Sequence, residues 1–315
     1  MVVPSIMTSQ WSEWIDVGPR FASSQPEYVH KFQRSVSHLN AIAQEVGDWI
    51  AAGIQTPAER ELEIEGDWVI LRPGPPRPLP GAWPLYLGDF LTNARATLDY
   101  LVYDLVKANR HDPGTHTSFP ICETEGKWQD DIIQRAANRG RAPIWGVSDE
   151  IIVLIHDEQP LRHPTAKART NDPLMHLLRM CNADKHRTLH VAAIHTGKVL
   201  KVWAEPEGLV DITGFKAAAA VRSSSLGESE VARVKVRPAP GADPDADVYF
   251  GYQRAAQIAF SPPGGAGQVM LEDLFGIINS IIRIGRTLEQ HTNSDLAWFS
   301  DLYAGRVGGG NRASS

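Results

Sequence analysis

LGDFLTNARATLDYLVYDLVKANR, residues 87–110, decides how the rest of the chain is read. Leu87, Phe90, Leu91, Ala94, Leu98, Leu101, Val102 and Leu105 recur at three- and four-residue steps, the pattern of one helix with a continuous apolar stripe. Trp83-Pro84 ahead of it puts a proline in the first turn, where no hydrogen bond is lost, and Asp112-Pro113-Gly114 stops it. The same helix carries Asn93, Arg95, Asp99 and Tyr100. Arg95 and Asp99 stand four apart and share a face. Their order opposes the helix dipole, so helix propensity is not the reason for the pair. Either it is a solvated pair contributing ~0–1 kcal/mol, or it belongs to a polar centre inside a helical core.

Upstream, Val29, Phe32, Val36, Leu39, Ala43, Val46 and Ile50 alternate steps of three and four, predicting a helix over about 26–52 that Ser24 caps. Residues 1–24 read as a flexible arm. The obvious partner of the heptad seam is the 87–110 helix. A homodimer through the long helices is the alternative. ELEIEGDWVILR, residues 61–72, predicts a hairpin around Glu65-Gly66-Asp67. Six prolines in the twelve residues PGPPRPLPGAWP make a stiff connector into the central helix.

Downstream, SFPIC (118–122) predicts a short buried strand or turn, and Arg135, Arg139 and Arg141 form a small basic cluster. Ser148 opens a helix over SDEIIVLIHDEQP, and Asp172-Pro173 opens another that ends in CNADKHR. The period then changes to two. LHVAAIH and KVLKVWAE predict a hairpin turned at Thr196-Gly197, and LVDITGF, SEVARVKVRPA, VYFGYQ and QIAFS continue a meander. A final helix spans about 268–291. The expected architecture is α+β: a long-helix core with a C-terminal antiparallel sheet and a final helix. It forms one domain over 25–295, helical to 187 and sheet plus last helix from 188, with a disordered tail over 296–315.

Composition narrows the partners. The net charge of −6 excludes bulk coating of nucleic acid, and no apolar run approaches the ~20 residues of a membrane span. Two cysteines, Cys122 and Cys181, and an N-terminus without a basic-then-apolar signal fit the cytoplasm. Between Pro160 and Arg187 six cations (Arg162, Lys167, Arg169, Arg179, Lys185, Arg187) face two anions. That basic island is either a candidate anion site or a solvated loop answering acidic neighbours. His186, His190 and His195 lack a nearby Glu or Cys to complete a metal site, so no metal and no cofactor is expected. His186 beside Arg187 offers a proton carrier and a phosphate clamp, the pair that phosphodiester attack requires.

Gly88-Asp89, Asn93, Arg95 and Leu98-Asp99, then Phe119-Pro120-Ile121, then Gln159-Pro160, then Asn182 with Asp184-Lys185-His186-Arg187, occur in one order. That order resembles a family of uncharacterised bacterial proteins frequent in actinobacteria, and the likeness spans roughly residues 26–195. The resemblance implies that Asn93, Arg95, Asp99 and the 184–187 segment share one structural plan. A weaker similarity, Asn-x-Arg on a bundle helix, is to the HEPN superfamily, many of whose members are metal-independent ribonucleases of toxin and antiphage systems. In that pattern a His falls where this chain has Tyr100.

Two functions follow as expectations. One is a non-enzymatic binding or assembly protein in which a polar cluster locks helices together. The other is a HEPN-like protein that binds or cleaves RNA. Its catalytic set would be Arg95, Asp99, His186 and Arg187, and its substrate contacts Asn93, Tyr100, Lys167, Arg169, Asn182, Asp184 and Lys185.

Overall fold

The computed structural model describes residues 25–53, 63–65, 67–71, 78–134, 142–186, 190–217, 232–243, 246–261, 269–292 and 297–303. In chain order these form α1 (Glu27–Gly53), β1 (Glu63–Glu65), β2 (Trp68–Leu71) and α2 (Trp83–Ala108). A short α3 (Glu125–Trp128) runs on into a π turn, Gln129–Gln134. Next come α4 (Asp149–Asp157), α5 (Ala166–Thr170) and α6 (Pro173–His186). The strands β3 (His190–Glu205), β4 (Val210–Ala217), β5 (Ala232–Pro238), β6 (Tyr249–Ser261) and β7 (Val269–Met270) follow, then α7 (Leu271–Leu288) and α8 (Trp298–Tyr303). The fold is α+β, as the change of period from helical to strand-like implies.

Two compact units emerge: residues 1–42, 82–190 and 260–315 in one, 43–81 and 191–259 in the other. The first is helical. Within it α2 packs against α6 and α7, and α7 against α8. Every apolar position of the α2 stripe is buried, with Leu87, Phe90, Leu91, Ala94, Leu98, Leu101 and Val102 fully so. The first turns of α1 lie beside the far half of α2, where the Lys31 ammonium sits 5.8 Å from the Tyr100 ring centroid. The other cover of α1 is α8: Tyr28 stacks on Phe299 at 5.9 Å, and Phe32 meets Trp298 and Phe299 edge-on.

That contact corrects the expected tail. Residues 298–303 form a helix whose Phe299 is fully buried and whose Trp298 is nearly so. Phe299 lies in a notch at Gly285 of α7, where a Cβ would meet its ring. The final helix α7 likewise belongs with the helices and not with the sheet, because its Leu274, Ile277, Ile281 and Ile284 are buried in the helical unit.

The second unit is built on a four-stranded antiparallel sheet in the order β1, β2, β5, β4. The hairpin expected around residue 66 is present, Glu63 facing Ile70 and Glu65 facing Trp68. Val69, Leu71, Ala232, Val234 and Phe250 form its core. A second sheet runs β3, β6, β7. There is no turn at Thr196-Gly197: β3 continues through it as one 16-residue strand. VYFGYQ and QIAFS likewise fall on the single strand β6. Trp203 lies against Gly251, where a Cβ would overlap its indole. No described helix is long and apolar enough to cross a membrane.

Candidate functional site

The polar centre starts from a backbone problem. Residues 117–122 run through the helical unit without joining a helix or strand, yet Phe119 to Cys122 are buried. Buried amides and carbonyls outside regular structure must still find partners. Helix α2 supplies them. Asp99 Oδ1 accepts a 2.8 Å bond from the Phe119 amide, and Arg95 Nη2 donates a short bond to the Phe119 carbonyl. Arg95 Nε in turn donates to Asp99 Oδ2 at 3.2 Å, and Nη2 lies 3.1 Å from Oδ1. The i,i+4 pair therefore grips both polar groups of one residue. Arg95 is 21% exposed and Asp99 30%, so this is not a solvated surface pair.

The same segment is held further along. Cys122 N–H donates to Gln159 Oε1 at 2.9 Å, Gln159 Nε2 donates to the Ile155 carbonyl, and Leu161 N–H donates to the Cys122 carbonyl. Gln159 is 2% exposed. The Phe119-Pro120-Ile121 and Gln159-Pro160 motifs thus meet in space. Gln159 was absent from the sequence-derived site. Its signals were its place in the ordered Gln159-Pro160 motif and a polar residue at a helix end just before a proline.

Helix α6 closes the centre from another side. Asp172 Oδ1 accepts from Leu174 N–H at 2.7 Å, the N-cap that Asp172-Pro173 predicts, while Oδ2 lies 2.7 Å from His163 Nε2. Cys181 Sγ donates to the Leu91 carbonyl of α2 at 3.5 Å, and burial pushes its thiol up to about 11. One turn on, Asp184 packs on Gly88, where a Cβ would stand 3.0 Å from each of its carboxylate oxygens. A larger residue at 88 would make the Asp184 carboxylate give by a few tenths of an ångström. Burial, and then the charge of Asp89, hold the Asp184 carboxyl above the usual carboxylate range. Asp184 does not bond Arg95, whose partners are Asp99 and Phe119.

The remaining predicted residues do not converge on the clamp. Asn93 donates to the Asp89 carbonyl of its own helix at 2.8 Å. Tyr100 is on the exposed face of α2, beside Tyr103. Asn182 and Lys185 are exposed on α6. The His186 side chain and all of Arg187 lie outside the described residues, as do Arg135, Arg139, Arg141, Ser24 and the 1–24 arm. The side chains of His190 and His195 lie outside them too. Among the described residues no three His, Cys, Asp or Glu side chains gather as metal ligands.

Part of the basic island is answered by neighbouring groups of the chain. Arg162 pairs with Asp157 at 3.4 Å, and Arg169 donates to the His163 carbonyl. Arg179 donates to the Thr170 carbonyl and pairs with Glu123 at 3.7 Å. Lys167 and Lys185 are exposed, with no bonded partner among the described residues.

Comparison of the chain with family models, curated proteins and solved structures finds no match. The functional reading therefore rests on the geometry.

Proposed function

We propose that this chain is a non-enzymatic binding or assembly protein of the cytoplasm, and that Arg95 and Asp99 form a structural clamp. One observation carries the reading: both charged groups are engaged by the backbone of Phe119. A general base needs a lone pair within reach of the proton it takes. Asp99 already accepts from the Phe119 amide and from Arg95 Nε, and its Oδ1 lies 3.1 Å from Arg95 Nη2. Where the HEPN pattern has an imidazole, this chain has the phenol of Tyr100, which lacks the imidazole's ring nitrogens.

The test is incubation of the purified chain with RNA at low ionic strength, where phosphate contacts are strongest. The expected result is intact, unretained RNA. Cleavage by the wild type that Arg95→Ala abolishes without unfolding the protein overturns the clamp reading. A second reading, RNA binding without cleavage, has one observation in its favour. Tyr100 and Tyr103 are exposed neighbours with ring centroids 6.4 Å apart, and the ammonium groups of Lys31 and Lys107 lie 5.8 and 5.6 Å from them. Exposed rings beside cations are a stacking platform for unpaired bases. RNA retained at low salt, and lost on Tyr100→Ala, would select that reading.

A further inference from the structure

The two edges of the four-stranded sheet differ in kind. Strand β1 is three residues long, with Glu63 and Glu65 at two of its positions. A short, charged edge resists pairing with another chain. At the other edge β4 runs for eight residues, and no described strand pairs with its outer side. Its Ile212 and Phe215 are 38% and 48% exposed. Their cross-strand partners on β5 are Val236 and Val234, so both lie on the face that carries the core.

The register makes this edge self-complementary. A bulge between Ile212 and Gly214 sets one residue aside from the alternation. Asp211 faces Arg237 and Lys216 faces Arg233, four apart on β5, so Asp211 and Lys216 share the outer face despite their odd separation. Ile212 and Phe215 share the opposite face for the same reason. Counted in paired positions, the edge reads acid, apolar, glycine, apolar, base. Reversed, it reads base, apolar, glycine, apolar, acid. An antiparallel copy laid against it therefore meets opposite charge at both ends and an apolar group at both inner positions. A two-fold interface requires that self-match.

We infer that β4 is a docking edge for a second copy of this chain, the two strands pairing antiparallel about a two-fold axis at Gly214. In this pairing Asp211 of each copy stands opposite Lys216 of the other, and Ile212 opposite Phe215. The exposed apolar groups are covered, and two four-stranded sheets become one of eight strands, with main-chain hydrogen bonds supplying the affinity. The inference rests on the assembly reading and gives it a partner. It assigns self-association to the sheet and not to the long helices. Few residues meet, so the dimer is weak, with a dissociation constant of about 1 µM to 1 mM.

Sedimentation equilibrium of the full chain at rising concentration, with charge-reversed variants, tests the pairing. Asp211→Lys alone and Lys216→Asp alone should each raise the dissociation constant about tenfold or more, because like charges then face each other at both ends. An equimolar mixture of the two variants should restore association, since each new charge meets its opposite on the other variant. A wild type that stays monomeric to about 1 mM, a dimer indifferent to both variants, or a mixture that stays apart each overturns the inference. Should either variant unfold, hydrogen exchange of the wild type decides. The amides among residues 211–216 that point to the outer edge must slow as concentration rises, and unchanged exchange there overturns the pairing. None of these outcomes touches the clamp reading, which is judged on RNA and not on oligomeric state.

Discussion

Charged side chains are used differently in the two units. In the helical unit Asp99, Arg95 and Asp172 reach backbone groups, and so does Glu289, 1% exposed, whose carboxylate accepts from the Phe299 and Ser300 amides at 2.8 Å. In the sheet unit Lys235 pairs with Asp67 at 2.9 Å and Arg237 with Asp211 at 3.2 Å, all in partly exposed positions. The contrast has one cause. Strand ladders satisfy their own backbone, so charges on a sheet are left to face water. Irregular segments crossing a helical core bring unpaired amides with them, and a helix can answer only with side chains. These charges of the first unit are therefore structural, and those of the second superficial.

That contrast can be broken by substitution. Asp99→Ala strands the Arg95 charge and the Phe119 amide together and should cost about 3 kcal/mol, at the low end for a buried pair because the site is partly exposed. Urea titration checks it, and a loss below ~1 kcal/mol would make the clamp no different from a surface pair. Glu289→Ala leaves two amides at the start of α8 without their acceptor and should cost about 2–3 kcal/mol, read from the same urea titration. Gln159→Ala orphans the Cys122 amide and should cost about 1–2 kcal/mol, read from the thermal midpoint. At the bottom of the scale, Arg237→Ala on the sheet should change stability by less than ~0.5 kcal/mol. A larger loss there would erase the distinction between the units.

A pH experiment sharpens the same point at Asp184. Its folded pKa is raised, so the folded chain holds that proton more tightly than the unfolded chain. Its contribution to stability therefore falls as pH rises from the ordinary 3.8 through the raised value, and the cost persists at neutral pH. Asp184→Asn should be at least as stable as the wild type at pH ~7, the advantage closing below the ordinary carboxylate pKa of ~3.9. A variant less stable than the wild type at neutral pH would mean that the carboxylate is held by a cation.

Legibility in the sequence follows the range of the interactions. The α2 stripe, its proline start, the hairpin at Glu65–Asp67 and the Asp172 N-cap are local, and local pattern reads them. Thr196-Gly197 has the chemistry of a turn, yet β3 passes straight through it beside β6, because strand pairing overrides a turn preference. Residues 298–303 are too few for a helix to declare itself by period, and α8 exists through packing on Gly285 and the reach of Glu289. The pair Arg95–Asp99 is visible at i,i+4, but its target, Phe119, is twenty residues beyond Asp99 and carries no polar side chain. The +4 island is the other long-range case, and of its two readings the ion pairs support the loop that answers acidic neighbours. Counting charge cannot see Glu123 and Asp157, which answer it from outside the segment.

The seat of Phe299 sets an order of assembly on the ribosome. Tyr28 and Phe32, on which its ring packs, emerge some 270 residues earlier, roughly 15–55 s at cellular rates of synthesis. For that interval two aromatic rings of α1 lack their cover, and a holding chaperone has an obvious substrate. The sheet unit waits less long: Val69 and Leu71 meet Ala232, Val234 and Phe250 some 160–180 residues later, and its last residue is 259. The sheet unit can therefore close its core while the helical unit still waits for its final piece.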